Sequence, residues 1–126
     1  MTHQERLRAL VGGLDLDQLL YEEHIQNGIH HVSLRWLPKR CQQETNLLAH
    51  LEAGWSFEPS FHRYPAEMLI LRGAGVFSVN GVDVVYGPGL FLRIGRDSVH
   101  GFQEVREDTL FVKSVSYRPL PPLLYH

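Results

Sequence analysis

The fold is decided by residues 67–86, whose sequence is EMLILRGAGVFSVNGVDVVY. Three short apolar runs are separated there by turn residues, first at Gly73 and then at Asn80-Gly81. An Asn-Gly pair between β-branched runs is the strongest local signal for a two-residue hairpin turn. The stretch therefore predicts short consecutive strands joined by tight turns.

The same pattern extends in both directions from this stretch. Runs of about six residues at a spacing of about 8–12 residues are typical of an all-β sandwich or barrel. The first 28 residues differ, because their leucines have helical spacing around Gly12-Gly13 and predict one or two short helices. The predicted strands lie near 29–37, 45–52, 55–62, 67–72, 74–79, 82–86, 89–94, 98–104 and 109–117.

The chain is thus expected to have three parts. Residues 1–28 form an N-terminal helical segment that packs on the barrel, and residues 29–117 form the barrel itself. Residues 118–126 form an extended tail, because each of its three prolines fixes φ and removes a hydrogen-bond donor.

One predicted strand is apolar on both faces. Glu67, Leu69 and Leu71 share one face, and Met68 and Ile70 share the other. Such a strand needs a second sheet on one side and a cover on the other. Either the N-terminal helices or a second subunit could provide that cover, and on this ground we expect a homodimer.

The composition restricts the classes of function. The chain has 126 residues, with 12 Lys and Arg against 14 Asp and Glu, which gives a formal net charge of −2. That balance carries no electrostatic signature of a nucleic-acid or membrane partner. Cys41 is the single cysteine, which excludes a disulfide scaffold and a cysteine-rich zinc site. No apolar run approaches the ~18 residues of a membrane helix, and no leader is evident, so a cytoplasmic location is expected.

Residues 54–73 and 89–100 resemble the paired motifs of the cupin superfamily. The first family motif is Gly-x5-His-x-His-x(3–4)-Glu-x6-Gly, and the second is Gly-x5-Pro-x-Gly-x2-His. Gly54, His62 and Glu67 match the first motif, whereas Ser60 replaces its first histidine and Gly73 comes one residue early. The resemblance implies an RmlC-like double-stranded β-helix, or jelly-roll barrel, over roughly residues 29–117.

The second motif is matched at its two ends. Gly89 opens it and His100 closes it, whereas Gly95 stands for the proline and Asp97 for the inner glycine. The resemblance therefore implies a mononuclear metal site inside the barrel. Its implied ligands are His62, Glu67 and His100, with Ser60 and Tyr64 as possible additional site residues.

The residue types agree with such a site. Two imidazoles and one carboxylate suit non-haem Fe(II) and catalytic Zn²⁺, and they leave Mn²⁺ and Ni²⁺ open. Ser60 and His62 would share a strand face, whereas Glu67 lies an odd number of residues further on. We therefore expect Pro65 to break the strand, so that His62 and Glu67 converge from consecutive strands.

Within the superfamily, the chain is similar to the cupin domain of ChrR-type anti-sigma factors. The similarity lies in the segments GIHHVSLRW, EMLILRG and TLFVKSVSY. Those domains are thought to bind zinc, but their sigma-binding region needs more chain than the 28 residues ahead of this barrel. The resemblance is thus to a stand-alone small cupin.

Two functions follow as hypotheses. The first is a metal-binding cupin that binds or transforms a small molecule, with dioxygenase-like chemistry as the first expectation. The alternative is a degenerate cupin, metal-free or zinc-binding, that acts as a ligand-sensing module. Arg93 and Lys113 would contact an anionic substrate if they face inward, and solvent if they do not.

Overall fold

The computed structural model describes residues 1–27, 30–56 and 63–117, and of residues 26, 27, 30 and 31 it describes the backbone. One helix precedes nine strands in the described chain. The elements are α1 (His3–Ala9), β1 (Glu23–Asn27), β2 (His30–Leu37), β3 (Glu44–Leu51), β4 (Ala66–Arg72), β5 (Gly75–Val79), β6 (Val82–Tyr86), β7 (Phe91–Ile94), β8 (His100–Val105) and β9 (Thr109–Ser116).

The strands form two antiparallel sheets. The larger sheet has the order β1-β2-β3-β9-β4-β7, and the smaller has the order β6-β5-β8. The principal core takes side chains from both sheets, such as Met68 and Phe111 from the larger and Phe77 and Phe102 from the smaller. The inner faces of the two sheets therefore enclose the interior of a jelly-roll barrel, as the sequence predicts.

The predicted hairpin forms between β5 and β6. Asn80 and Gly81 both have positive φ, at 49° and 80°, as the two central residues of a type I′ turn require. The flanking Val79 and Val82 are directly paired. The local turn chemistry thus sets the register of the smaller sheet.

The N-terminal segment contains less helix than expected. Thr2 Oγ1 accepts a hydrogen bond from the Glu5 amide and caps α1, which ends at Ala9. Residues 10–20 form turns instead of a second helix, because Gly12 and Gly13 disfavour helix and Asp15 hydrogen-bonds the Asp17 amide in a local turn.

Strand β1 was not predicted from the sequence, since it lies inside the segment expected to be helical. This edge strand, EHIQN, carries no alternating apolar pattern. It pairs with β2 from Glu23 opposite Leu34 to Asn27 opposite His30. Pairing with β2, rather than local propensity, makes these residues a strand.

A second apolar cluster covers the outer face of the larger sheet. Leu7 and Val11 of the N-terminal segment pack there against Leu48, Leu69 and Val112. The chain's own N-terminus therefore supplies the cover that the two-faced strands require. A second subunit is therefore not needed to cover these strands, and the homodimer stays a prediction. Within the described chain, no helix has the length and apolar character that crossing a membrane requires.

Replacing Leu7 by alanine tests this outer cover. Leu7 is fully buried, so Leu7→Ala should lower the free energy of unfolding by roughly 2–5 kcal/mol, as is typical of buried leucines. Leu20 is 80% exposed, and Leu20→Ala should change it by less than about 0.5 kcal/mol. Urea denaturation monitored by circular dichroism measures both. Equal midpoints for the two variants would contradict the packing.

Candidate functional site

A cavity of about 230 Å³ lies between the inner faces of the two sheets. Among the described residues that line it, only a histidine and a lysine carry a titratable group. The lining residues are Val32, Leu34, Leu47, Ala49, Leu51, Trp55, Met68, Phe77, Ile94, His100, Gly101, Phe102, Phe111 and Lys113. The cavity therefore offers an apolar and aromatic wall with two polar side chains.

His100 is the first residue of β8 and is buried. Its Nδ1 atom lies 2.8 Å from the Ser98 carbonyl oxygen, which can only accept a hydrogen bond. The Nδ1 atom therefore carries the proton, and in the neutral ring Nε2 carries the lone pair. The ring lies beside Phe77, with 6.1 Å between the ring centroids. The backbone and an aromatic neighbour thus fix the orientation of this imidazole.

Lys113 lies in the middle of β9 and faces the cavity. It is directly opposite Leu47 of β3 and Met68 of β4, and both of these side chains also line the cavity. Phe111 and Val115, two residues away on either side, belong to the same inner core. Burial lowers the pKa of Lys113 below its ordinary value of 10.5. Of the two cations considered for an anionic substrate, Lys113 is thus the one that faces inward.

Glu67 lies on the opposite side of the larger sheet from His100. Its carboxylate is 2.8 Å from His3 Nδ1 and 3.5 Å from Arg93 Nε, and both partners line an outer cleft of about 880 Å³. This corrects the expectation that Glu67 converges with His100 inside the barrel. Arg93 is likewise an outer residue and does not face the interior cavity.

A shift of one residue explains the position of Glu67. The strand does begin just after Pro65, as expected. The family motif has six residues between its glutamate and its closing glycine, however, and this chain has five between Glu67 and Gly73. A gap of six residues before Gly73 would place the motif position at Ala66, and Ala66 does pack in the inner core. Since neighbouring strand residues point to opposite faces, Glu67 points outward.

Of the remaining predicted site residues, only Tyr64 lies among the described residues, and it does not line the cavity. Ser60 and His62 lie outside the described residues. Tyr64 is exposed, and its ring packs edge-to-face against Tyr117 at 4.7 Å. His50 lies on the opposite face of β3 from Ala49, which lines the cavity, and its Nε2 atom is 3.9 Å from Asp108 Oδ2.

The described residues do not complete the expected metal site. Across residues 1–27, 30–56 and 63–117, no three His, Cys, Asp or Glu side chains come together as a metal-binding group. His100 is the one expected ligand that lines the cavity there, and it shares the cavity with the cationic side chain of Lys113. An ammonium group disfavours a divalent cation in the same low-dielectric space.

The outer cleft contains an ion pair, not predicted from the sequence, between the exposed guanidinium of Arg40 and the buried carboxylate of Glu44. Arg40 donates two hydrogen bonds of 2.9 Å to Glu44, one to each carboxylate oxygen, and a third of 3.2 Å to Ser114. Asn46 donates a further bond to Glu44. Burial alone would raise the pKa of Glu44, but the hydrogen bonds from Arg40 and Asn46 outweigh it and lower the pKa to about 2. Arg40 lies in the loop before β3 and Glu44 is the first residue of that strand, so no regular spacing in the sequence marks the pair.

Comparison with solved structures supports this architecture. An RmlC-like cupin from Shewanella frigidimarina is 16% identical, with a TM-score of 0.69 over 83% of this chain and 89% of that chain. A predicted oxalate decarboxylase from Thermotoga maritima is 22% identical, with a TM-score of 0.67 over 76% and 91%. The polyketide cyclase RemF from Streptomyces resistomycificus is 20% identical, with a TM-score of 0.61 over 71% and 68%.

No family model and no curated protein sequence matches the chain. The structural likeness is nevertheless shared by several proteins described as cupins. This chain therefore has the jelly-roll fold of the cupin superfamily. The resemblance to ChrR-type domains in particular stays a prediction.

Acid titration tests the outer ion pair. Because the pKa of Glu44 is lowered in the folded state, its contribution to stability is complete above its ordinary value of 4.5 and is lost as the pH falls toward about 2. Glu44→Gln should lower the free energy of unfolding at pH 7 by about 1.5–3 kcal/mol, the range for hydrogen bonds to charged groups. The difference from wild type should shrink as the pH falls through that window.

Glu104→Gln is the matched control, because Glu104 pairs with Arg106 at the surface. Surface pairs contribute about 0–1 kcal/mol. Urea denaturation between pH 7 and pH 2.5 gives the comparison. A difference between Glu44→Gln and wild type that stays constant over this range would contradict the assignment.

Proposed function

We propose that this chain binds a compact, largely apolar organic molecule in the interior cavity. The ligand would carry a hydrogen-bond acceptor, a carboxylate or a carbonyl, that is directed toward Lys113. The observation that carries the proposal is the position of the Lys113 amine in a largely apolar wall, whose described residues include no carboxylate. Small-molecule sites combine these features, since apolar walls supply affinity and a few polar groups set orientation.

The chemistry of the Lys113 side chain selects the acceptor group. A lysine ammonium has three donors and no acceptor, and Leu47 and Met68 flank it with apolar surface. A hydrogen bond to a charged group in such surroundings is stronger than one in water. A ligand with an acceptor next to an apolar body would therefore match both the ammonium and the wall.

The size of the cavity supports a small ligand. Drug-sized pockets span roughly 300–1,000 Å³, and this cavity has about 230 Å³. Its aromatic side chains include Phe77, Phe102 and Phe111, whose rings pack edge-to-face or tilted against one another. A single planar ring with one polar substituent matches this space. The enzyme names of two similar structures are in keeping with a small-molecule role.

Benzoate is a suitable probe of this site. Wild-type protein should bind benzoate saturably, and Lys113→Met should raise the dissociation constant by about 10–100-fold, since a hydrogen bond between charged groups is lost. Methionine keeps the length and apolar stem of the side chain. Isothermal titration calorimetry measures the affinity.

Arg93→Met is the control for that experiment. It removes a cation of the same sheet whose side chain lies on the outer face, so benzoate affinity should change less than about twofold. Equal losses in both variants, or no saturable binding to wild type, would refute the proposal.

A metal centre is the second candidate function, and the hydrogen bond of His100 favours it. Metal-binding histidines commonly donate their second ring N–H to a carbonyl, as His100 does to Ser98. Such a centre would combine His100 with His62 but would exclude Glu67, which lies on the outer face. Metal-dependent chemistry of the dioxygenase type depends on the presence of that centre.

Elemental analysis of protein purified without an affinity tag tests the metal candidate. If a centre exists, wild type and Glu67→Gln should both carry about one equivalent of Fe, Zn, Mn or Ni, and His100→Ala should carry none. Metal loss in Glu67→Gln would return Glu67 to the ligand set. Metal-free wild type that takes up none on titration would eliminate the candidate.

A further inference from the structure

The side chain of Lys113 is a candidate nucleophile because of where it lies. It occupies the central strand of the larger sheet and faces a cavity with apolar walls, between Leu47 and Met68. A lysine amine becomes nucleophilic when desolvation in a hydrophobic pocket favours its neutral form. Burial does lower the pKa of Lys113. The cavity thus provides the environment in which an amine attacks a carbonyl carbon.

We propose that Lys113 forms an imine with the carbonyl carbon of an aldehyde or ketone bound in the interior cavity. This inference rests on the proposed function, and it narrows the acceptor group of the ligand to a carbonyl. Formation of this covalent bond would be a chemical activity in addition to noncovalent binding. Carbonyl compounds with a single apolar ring are the substrate class that the size of the cavity favours.

The reaction balances without an oxidant or a further reactant. The nitrogen lone pair of Lys113 forms a bond to the carbonyl carbon, and the π electrons of the carbonyl move to oxygen, which takes a proton. The nitrogen gives up its two protons, one at each step, so that the oxygen receives both and leaves as water while the neutral C=N bond forms.

The apolar wall also favours the imine after it has formed. Hydrolysis needs water at the C=N carbon, and apolar walls disfavour water at that position. The walls nearest to Lys113 come from Leu47, Met68 and Phe111, none of which attracts water. An exposed lysine has no such protection.

The sequence offers an internal control, because it contains two lysines, Lys39 and Lys113. Lys39 is exposed on the loop between β2 and β3. The full chain is incubated with benzaldehyde and cyanoborohydride, which reduces an imine to a stable benzyl amine. Peptide mapping by mass spectrometry then separates Lys113, Lys39 and the terminal amine of Met1. We expect Lys113 to be labelled at least about tenfold faster than Lys39.

Competition by benzoate makes the test independent of any variant. Benzoate has the same ring but cannot form an imine, so an excess should suppress labelling of Lys113 and leave that of Lys39 unchanged. Unfolding in urea should abolish the difference between the two lysines. Lys113→Arg should lose the fast label, whereas Lys39→Arg should keep it.

The two proposals fail in different ways. If benzoate raises the melting temperature but Lys113 is labelled no faster than Lys39, the imine is refuted and the binding function stands. If benzoate neither binds nor protects Lys113, the binding function is refuted as well. Labelling of Lys113 that is fast but insensitive to benzoate would show that the amine reacts outside the cavity, and this too overturns the inference.

Discussion

The structure depends on the strict alternation of side chains along strands that are buried on both faces. In β9, Phe111, Lys113 and Val115 belong to the inner face, whereas Leu110 and Val112 belong to the outer face. The inner set faces the smaller sheet, and the outer set packs under the N-terminal segment. A residue in such a strand therefore has one of two environments, and a shift of one position exchanges them.

This constraint decides which charged groups can take part in a site. Lys113 faces the interior because Leu47 and Met68, which are paired with it on the two neighbouring strands, face the interior as well. Glu67 is held outside, where His3 and Arg93 pair with its carboxylate. Among the described residues that line the cavity, Lys113 is a potential cation and none is a carboxylate. The proposed acceptor-bearing ligand fits such a lining better than a divalent cation does.

Much of the fold could be predicted from the sequence because its signals are local. The Asn80-Gly81 turn and the two-faced pattern of residues 67–72 need no information from distant residues. The strand β1 could not be found in this way, since its polar sequence becomes a strand through pairing with β2. The apolar neighbours of Lys113 in the sequence left open which face it occupies. The register of β9 against β3 and β4 shows that it faces inward.

For Glu67, the alternation of side chains along the strand indicated the correct face, but the resemblance to the metal motif led to the opposite prediction. Glu67 shares a strand face with Leu69. Met68 and Ile70 lie on the other face, which packs in the inner core. The resemblance to a metal motif suggested convergence with His100, although the early Gly73 marked the shift of one residue. Motif spacing within a strand therefore has to be checked against side-chain alternation before a ligand is assigned.

The central claim is that Lys113 faces a ligand cavity inside the barrel. It is tested most directly by nuclear magnetic resonance of protein labelled with carbon-13 at lysine Cε, where two lysines give two assignable signals. The account predicts that the Lys113 signal titrates below the ordinary pKa of 10.5, shifts saturably with benzoate and then titrates at higher pH, because a bound anion stabilises the ammonium form. The Lys39 signal should not shift with benzoate. A Lys113 signal that titrates at 10.5 and does not shift with benzoate would contradict the account.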